Sequence, residues 1–355
     1  MFDIIIVGGG PAGSTLARLA GNKLKILILE KRSFDKINLY PGQKCCGGLI
    51  APDAQRMLAT FGLGIPNAVL ISPQLFAVRT IDMQNNIERF YQRHYINVNR
   101  EKFDGWLLSL ASAKAEVRTE CVYHSYNEKD GEITVVYFDK GKECKEKTKI
   151  LVGADGAFSK IRRQAFQSSE NAKRYISIQE WFETEDSMPY YGAVFDTEIT
   201  DFYSWTIPKD KHFIVGSALE IDKKPGERFD LLKRKLHDCG FRFGKSVHRN
   251  GAFILRPGNT RQICTGKGNV ALVGEAAGFI SPSSAEGISY AFKSAMKLTK
   301  ALEVGSEGFA ARYRRGAGSI TGNIVVKNLK CPAMYNSFLR RYIMKSGIMS
   351  LDIIE

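Results

Sequence analysis

Residues 2–13 read FDIIIVGGGPAG, in which an apolar run leads directly into a glycine-rich turn. The run at 2–7 is expected to form a strand that is covered on both faces within a parallel sheet. A helical stretch at 14–21 follows the turn, and a second apolar run at 26–29 ends at Glu30. This order of elements predicts a βαβ unit at the start of the chain.

The turn matches the pattern Gly-x-Gly-x-x-Gly, with glycines at Gly8, Gly10 and Gly13. In this pattern the first glycine makes a tight turn, the second lets a pyrophosphate approach the backbone, and the third lets helix and strand pack closely. Glu30 is placed to accept hydrogen bonds from a ribose 2′-hydroxyl, and its charge would repel a 2′-phosphate. Ser14 stands where a P-loop requires lysine, so a P-loop is excluded. The pattern predicts an ADP-containing dinucleotide, either FAD or NAD.

The composition is that of an ordinary globular protein. Of the 355 residues, 44% are hydrophobic and 25% are charged, which excludes a disordered, collagenous or disulfide-scaffold chain and is compatible with two domains. Seven cysteines, with Cys45 and Cys46 adjacent, fit a reduced cytoplasmic setting better than a disulfide framework. The sequence shows neither a signal peptide nor an apolar run long enough to span a bilayer, so we expect a soluble or peripheral protein.

Three further motifs separate FAD from NAD. They are NREKFDGWLL at 99–108, ILVGADGAFSKIRR at 150–163 and NVALVGEAAGFISPSSAEGI at 269–288. Together with the opening turn they resemble the FAD-dependent oxidoreductases that have the para-hydroxybenzoate hydroxylase fold. Within that group, PGQKCCGGL at 41–49 resembles the Cys-Gly-Gly segment of the geranylgeranyl reductase family. The resemblance runs from residue 2 to about residue 300 and covers most of the chain.

The resemblance implies that FAD is the cofactor and assigns residues to it. By this resemblance the three glycines of the turn contact the pyrophosphate and Glu30 contacts the ribose. Arg100 contacts the phosphates or the ribityl chain. Asp155 and Gly156 match the family's Asp-Gly motif near the cofactor. The remaining implied cofactor residues are Pro11, Ala12, Lys31, Cys46, Gly47, Gly48, Val122, Gly274, Glu275, Gly278, Gly287 and Ile288.

Parts of this assignment carry specific expectations. Gly287 and Ile288 would donate backbone N–H groups to the flavin N1–C2=O region and stabilise the anionic reduced flavin. The family usually has aspartate where this chain has Glu275. The contact with the ribityl chain must therefore shift by one methylene group or be made by another group. Cys46 would face the isoalloxazine ring, where a thiol could contact the ring or donate a proton. Free cysteines also pack as small hydrophobes, so a structural role for Cys46 stays open.

Aromatic residues are concentrated in the middle of the chain. Ten of the 39 residues from 175 to 213 are aromatic, against 11% in the whole sequence. Tyr203 and Trp205 are expected on one face of a strand that Pro208 ends, and with Trp181 they are the candidate substrate residues. Such an aromatic wall suits a large hydrophobic ligand, although aromatic side chains that merely pack against a helix would give the same pattern. Residues 75–96, with Asn85-Asn86 as a hairpin turn, predict two further strands of this sheet.

The predicted fold class is α/β, α+β overall, with three parts. A Rossmann-like FAD-binding domain comprises 1–73, 97–170 and 262–308, and a discontinuous antiparallel-sheet substrate domain comprises 74–96 and 171–261. The third part, 309–355, is a basic helical C-terminal region with eight basic and two acidic residues. This region could lie on an anionic membrane at its cytoplasmic face, or it could pack as a helix with a solvated basic surface.

The formal net charge of +14 indicates anionic partners without choosing among them. Nucleic-acid modules are absent from the sequence, so no nucleic-acid partner is expected. The five histidines lack metal-ligand spacing and no Cys-x-x-Cys pair occurs, so no metal site is predicted. A Gly-x-Ser-x-Gly nucleophile motif is also missing.

Three functions are therefore weighed. The resemblance to geranylgeranyl reductases implies that reduced FAD transfers hydride to a C=C bond of a prenyl lipid or another hydrophobic substrate. The second is an FAD-dependent monooxygenase or halogenase acting on an aromatic substrate, because YSWTIP at 203–208 nearly matches the halogenase pattern Trp-x-Trp-x-Ile-Pro. The third is a non-catalytic flavin-binding protein. Only one dinucleotide fingerprint is visible, so NAD(P)H is expected to bind transiently or a redox carrier to deliver electrons.

Overall fold

The computed structural model describes residues 1–34, 44–166, 172–185 and 188–354. The chain divides into two compact units, each built from three segments. Unit 1 comprises Met1–Leu39, Lys102–Lys173 and Leu255–Lys327, and unit 2 comprises Tyr40–Glu101, Arg174–Ile254 and Asn328–Glu355. The functional domain boundaries given above stay a prediction.

The strands and helices are numbered in chain order. The strands are β1 (Phe2–Val7), β2 (Ile26–Leu29), β3 (Leu49–Ile50), β4 (Leu75–Asp82), β5 (Ile87–Asn97), β6 (Glu116–Arg118), β7 (Cys121–Lys129), β8 (Glu132–Asp139), β9 (Lys142–Gly153), β10 (Lys173–Glu183), β11 (Tyr190–Phe195), β12 (Ser204–Lys209), β13 (His212–Glu220), β14 (Ser246–Arg256), β15 (Gly266–Lys267), β16 (Val270–Leu272) and β17 (Ser350–Leu351). The α-helices are α1 (Pro11–Ala20), α2 (Pro52–Thr60), α3 (Arg100–Ser112), α4 (Lys160–Ala165), α5 (Pro225–Asp238), α6 (Ile288–Glu303), α7 (Phe309–Gly316), α8 (Gly318–Tyr335) and α9 (Ser337–Lys345). Short 3₁₀ turns cover Asn67–Val69, Thr260–Gln262 and Gly274–Ala277.

Unit 1 is built on a sheet whose central strands are parallel. β1 lies between β2 and β9, β6 pairs with β2, and β16 pairs with β9, all in parallel. The isoleucines of β1, Ile4 to Ile6, are completely buried, as an uninterrupted apolar strand in a parallel sheet requires. β7 and β8 extend the sheet from β9 as an antiparallel meander. This arrangement confirms the predicted Rossmann-like fold.

Unit 2 is built on a nine-stranded sheet with the order β14-β10-β13-β12-β11-β4-β5-β17, and β3 also pairs with β5. From β10 to β17 neighbouring strands are antiparallel, except that β11 and β4 are parallel. β4 and β5 form the predicted hairpin, and Asn86 in its turn has a φ of 49°. The antiparallel sheet of the prediction is therefore confirmed.

The two faces of this sheet carry different side chains. Phe182, Phe213 and Val215 pack with Phe229 and Leu232 of α5 in one buried cluster. Because side chains alternate along a strand, Trp181 and Trp205 point to the opposite face. We call this opposite face, which carries Trp181, Tyr203 and Trp205, the tryptophan face.

One expectation about the aromatic strand was wrong. Pro208 does not end β12, which continues to Lys209 and pairs through Pro208 and Phe213 with β13. The pairing between β12 and β11 ends at Thr206, so no hydrogen bond to β11 is required from residue 208. A proline is tolerated at such a position because its missing N–H costs the sheet no hydrogen bond.

The C-terminal region is helical up to residue 345 and then adds β17 to the edge of the unit 2 sheet. Arg340 of α9 is buried and makes a bidentate ion pair with Asp82 at the end of β4, with N–O distances of 2.7 and 3.0 Å. Bidentate pairs of this kind fix the orientation of both partners. The ion pair therefore ties α9 to the sheet.

Within the ranges that the structure describes, no helix is both long and apolar enough to cross a bilayer.

The Asp82→Ala variant should be destabilised by about 3–5 kcal/mol, because it leaves the Arg340 guanidinium buried without its counter-charge. Urea unfolding followed by tryptophan fluorescence measures this change, since Trp181 and Trp205 both lie in unit 2. Asp352→Ala, which removes an exposed carboxylate, is the control and should change the stability by less than about 0.5 kcal/mol. Equal stabilities of the two variants would contradict the role given to the ion pair.

Candidate functional site

The glycine turn between β1 and α1 leaves room for a ligand on one side and none on the other. A Cβ atom on Gly13 would lie 2.0 Å from the carbonyl oxygen of Gly8, and one on Gly8, at a φ of 107°, would lie 2.4 Å from the oxygen of Ala154. A Cβ on Gly10 would meet no described atom within 4 Å. Gly10 is also the N-cap of α1, with Pro11 as the first helical residue and Ala12 as the second. The open side thus faces helix N–H groups that have no partner within the helix, which fits a bound pyrophosphate.

Glu30 stabilises this turn through hydrogen bonds. Its Oε2 atom accepts a hydrogen bond from the Gly9 N–H at 2.7 Å, and its Oε1 atom accepts one from Arg32 Nε at 3.0 Å. Arg32 also pairs with buried Asp104 at 2.9 Å. Burial acts to raise the pKa of Glu30, but Arg32 and the Gly9 N–H outweigh it and hold that pKa below its usual value. Glu30 is therefore ionised, and its ribose contact stays a prediction.

Two motifs that are far apart in sequence converge on this turn within unit 1. Ala154 contacts Gly8, and Val273 donates its N–H to the oxygen of Gly153 at 3.0 Å. A Cβ on Gly274 would lie 3.1 Å from the Cβ of Ala12 in α1. The opening turn, the Asp-Gly motif and the late glycine motif therefore form one continuous surface.

Asp155 contributes an acceptor to this surface. Its Oδ2 atom accepts the Lys160 N–H at 2.8 Å at the start of α4, whereas its Oδ1 atom is buried and has no hydrogen-bond partner among the described residues. Burial raises the pKa of the Asp155 carboxyl. Gly156 follows it with a φ of 77°. A buried acceptor without a partner costs free energy, so Asp155 Oδ1 fits a donor from the cofactor.

The residues of the late glycine motif have different structural roles. Glu275 Oε1 accepts the Leu255 N–H at 3.0 Å, so the longer glutamate side chain supports the backbone of unit 1. Gly278 ends the 3₁₀ turn in a left-handed conformation. Gly287 is the N-cap of α6 and Ile288 is its first residue, which directs backbone N–H groups away from the helix. The contacts of these residues with flavin stay predictions.

Lys31 and Val122, two predicted cofactor residues, are exposed. Lys31 lies two residues beyond the end of β2, and Val122 lies on β7 opposite Phe138. Neither side chain is part of the converging surface described above. Their cofactor contacts therefore rest on the resemblance alone.

In unit 2 the pKa values of the adjacent thiols of Cys45 and Cys46 are shifted in opposite directions. Arg100 Nη1 lies 3.0 Å from Cys46 Sγ. Burial acts to raise the pKa of Cys46, but Arg100, the Gly48 backbone and the Lys44 charge together outweigh it and lower that pKa. Cys45 Sγ lies 3.5 Å from the Ser177 hydroxyl, and burial raises the pKa of Cys45 to about 11. Cys46 is therefore the more acidic of the two thiols. The predicted residues 41–43 of the Cys-Gly-Gly segment lie outside the described residues.

Lys209 is a site residue that the sequence analysis missed. This fully buried lysine donates hydrogen bonds to Val98 O at 2.8 Å, to Gly48 O at 3.3 Å and to the side chain of Asn97. Burial lowers the pKa of Lys209 to about 7. Next to it, a Cβ on Gly47 would lie 2.3 Å from Ile207 Cδ1, so the Cys46–Gly48 segment lies directly on β12. A signal was available, because Lys209 ends a strand that is otherwise uncharged and rich in apolar residues.

The tryptophan face also carries buried polar atoms. The indole N–H groups of Trp181 and Trp205 and the Oε1 atom of Gln179 have no hydrogen-bond partner among the described residues. Gln179 and Trp205 both stand opposite Gly216, and a Cβ on Gly216 would lie 2.2 Å from Trp205 Nε1. The absence of a side chain at Gly216 thus lets the Trp205 ring lie flat across β13. Tyr203, also buried, lies beside this ring, with the ring centroids 5.5 Å apart.

The comparisons with known proteins agree with this site. Residues 1–190 match the model of the family described as FAD binding domain, and the chain belongs to that family of flavoproteins. It is 40% identical over all 355 residues to "Protein CbrA" of Escherichia coli O9:H4 (strain HS), of which 96% is covered. The cofactor is FAD.

Solved structures share the fold. A geranylgeranyl bacteriochlorophyll reductase-like protein of Thermoplasma acidophilum has a TM-score of 0.73 at 19% identity, with 99% of this chain and 88% of that chain covered. PqsL, described as a probable FAD-dependent monooxygenase from Pseudomonas aeruginosa, has a TM-score of 0.70 at 16% identity, with 98% and 99% covered. The flavin-dependent brominase Bmp2 has a TM-score of 0.69 at 19% identity, with 97% and 92% covered. At these identities the likeness concerns the fold.

The Gly10→Val variant should fold normally and bind FAD more weakly, because its side chain enters only the open side of the turn. We expect FAD affinity to fall by roughly tenfold to hundredfold, which corresponds to an overpacking cost of about 1–3 kcal/mol. Flavin titration of the apoprotein and its thermal unfolding measure the two effects separately. Gly64→Val is the control, since Gly64 also has no described atom within 4 Å of a Cβ. Full FAD affinity in Gly10→Val would refute the pyrophosphate assignment.

The low pKa of Lys209 predicts a pH-dependent stability. Between its folded pKa of about 7 and the ordinary value of about 10.4, the unfolded chain binds a proton that the folded chain does not, so stability rises with pH. Relative to Lys209→Met, the wild type should therefore gain about 2 kcal/mol between about pH 7 and about pH 9. Denaturant unfolding across this range measures the gain, with the exposed Lys211→Met variant as the control. A pH-independent difference between wild type and Lys209→Met would show that the lysine stays charged.

Proposed function

We propose that the protein reduces carbon–carbon double bonds of an isoprenoid of the geranylgeranyl type, or of another hydrophobic substrate. The tryptophan face is the observation that carries this proposal. Trp181, Tyr203 and Trp205 lie on one face of the unit 2 sheet and are only 5%, 8% and 6% exposed, so they form an aromatic, apolar lining on that face. A surface of this kind suits a large hydrophobic ligand with few polar groups.

The unpaired polar atoms of this face add a requirement for the substrate. Leaving a buried donor or acceptor unsatisfied costs about 1–3 kcal/mol. The N–H groups of Trp181 and Trp205 and the Oε1 of Gln179 would be satisfied by a polar group at one point of an otherwise apolar molecule. A prenyl alcohol or its phosphate ester has this character.

The pair of Arg100 and Cys46 supports a proton-transfer role. When bound and reduced, FAD supplies the hydride for one carbon of the double bond. Arg100 stabilises the Cys46 thiolate, so a protonated Cys46 gives up its proton more readily to the other carbon. Lys209 holds the carbonyl of Gly48 and so positions the Cys46–Gly48 segment.

A second candidate is an oxygen-using flavoenzyme, either a monooxygenase or a halogenase. The YSWTIP stretch at 203–208 differs from the halogenase pattern Trp-x-Trp-x-Ile-Pro at the first tryptophan, and PqsL and Bmp2 share the fold. A flavin-binding protein without catalysis is the third candidate. Each of the three candidates predicts a different fate for the reduced flavin.

The test is an anaerobic single-turnover reaction of the dithionite-reduced holoenzyme with geranylgeranyl diphosphate as the probe. We expect flavin reoxidation together with a product that has gained one H₂ per reduced double bond, detected by mass spectrometry. Cys46→Ala should slow this step by roughly 10²–10⁴-fold, the usual contribution of a general acid, while Cys45→Ala should stay close to wild type.

The competing outcomes are distinct. A transient C4a-hydroperoxide spectrum in oxygenated buffer, with an oxygenated or halogenated product, would replace the proposal by the second candidate. A reduced flavin that reacts with neither the prenyl probe nor oxygen would favour the third.

A further inference from the structure

Helix α9 is oriented with its apolar side chains outward. Phe338 and Tyr342 are 63% and 62% exposed, and Leu339 and Ile343 are also exposed. Arg340 of the same helix is only 4% exposed. In a surface helix that packs on a core the apolar residues face inward, so α9 shows the reverse of the usual pattern.

The structure holds α9 in this orientation at several points. The bidentate ion pair between Arg340 and Asp82 fixes the rotation of the helix about its axis. Asn336 caps its first turn by accepting the Leu339 N–H, and Arg89 of β5 donates to the carbonyl of Met344 in its last turn at 3.0 Å. The outward apolar side chains are therefore a built feature of unit 2. Phe338 and Tyr342 contact each other edge to face on the outside, with ring centroids 4.7 Å apart.

The apolar surface continues beyond the helix. Ile348 and Met349, three and four residues after the end of α9, are 69% and 85% exposed. The docking face is defined here as Phe338, Leu339, Tyr342, Ile343, Ile348 and Met349. Contiguous exposed apolar side chains of this kind mark interaction surfaces.

The charges beside the docking face are predominantly positive. Arg341 and Lys345 of α9 and Lys330 of α8 are exposed, whereas Asp352 is the exposed acidic residue within 328–354. Basic side chains interleaved with aromatic and aliphatic ones are typical of helices that lie in a membrane interface and bind anionic lipids.

We propose that the docking face binds the surface of an anionic lipid bilayer, with α9 lying in the plane of the interface. The apolar side chains would enter the boundary between headgroups and acyl chains, and Arg341 and Lys345 would contact the headgroup phosphates. A second copy of the chain fits this face less well. A two-fold interface would bring the basic residues of both copies together, and like charges repel.

The test is a vesicle sedimentation experiment on the purified full-length holoenzyme. The probes are vesicles of phosphatidylglycerol and phosphatidylcholine in equal amounts, compared with vesicles of phosphatidylcholine alone. We expect binding to the anionic vesicles that weakens as salt is added. Arg341→Glu/Lys345→Glu should weaken it by roughly thirtyfold or more, and Phe338→Ser/Tyr342→Ser by roughly tenfold or more.

The matched control is Arg234→Glu/Lys245→Glu, which reverses two exposed basic residues on α5 and near β14, away from the α9 edge of the same sheet. This variant should bind the anionic vesicles like the wild type. Bound FAD and an unchanged thermal unfolding temperature in every variant show that the substitutions did not unfold the protein. The measurement needs no turnover, so its result is independent of the proposed reaction.

Three results would overturn the proposal. One is the failure of the wild type to sediment with anionic vesicles. Another is an equal loss of binding in the control variant, which would show a general effect of net charge. The third is a dimer in solution that Phe338→Ser/Tyr342→Ser dissociates, which would make a second copy the occupant of the face.

Discussion

The contact between Gly13 and the carbonyl oxygen of Gly8 is the constraint on which unit 1 depends. Nothing larger than a hydrogen atom fits there, since a Cβ would lie 2.0 Å from that oxygen. The contact brings α1 against β1 and leaves the open side of the turn at Gly10 in front of the helix N-terminus. Glu30 then holds the turn through the Gly9 N–H, and Ala154 closes on Gly8 from the Asp-Gly motif. The predicted pyrophosphate site is thus a consequence of close packing rather than of any one binding side chain.

Unit 2 depends on buried ionisable side chains that are placed with their partners. Lys209 reaches two backbone carbonyls and an amide, Arg340 reaches Asp82, and Arg100 reaches Cys46. A buried charge without such partners would cost several kcal/mol, so each contact constrains the segments that provide it. Lys209 and Arg100 both act on the Cys46–Gly48 segment, whereas Arg340 acts on α9. The same physical rule therefore orders the Cys46–Gly48 segment and helix α9.

Much of the fold follows from local patterns. The apolar run at 2–7, the glycine turn and the helix after it were predictable because each depends on residues close together in sequence. The hairpin around Asn85 and Asn86 and the shared face of Tyr203 and Trp205 follow from turn chemistry and strand alternation. The end of β12 was not predictable in this way. Whether Pro208 breaks that strand depends on where the pairing between β12 and β11 ends.

The site was predictable in part. The glycines of the opening turn and the Asp-Gly motif carry their own pattern, and the structure brings them together with the late glycine motif. Glu275 shows the limit, because its carboxylate supports the Leu255 N–H, a partner that no local pattern announces. Lys209 shows the same limit of sequence-based prediction, because its three acceptors come from two segments more than 100 residues away in the chain.

By itself, the sequence determined the strand-turn-helix start, the requirement for glycine at Gly8, Gly10 and Gly13, and the class of dinucleotide that this turn binds. These features depend on backbone conformation and on side-chain periodicity over a few residues. Only the tertiary structure decided that Cys46 pairs with Arg100, that Lys209 is buried beneath Gly48, and that α9 turns Phe338 and Tyr342 outward. The physical reason is that a buried charge takes its orientation from its partner, and sheet pairing brings that partner from a distant part of the chain.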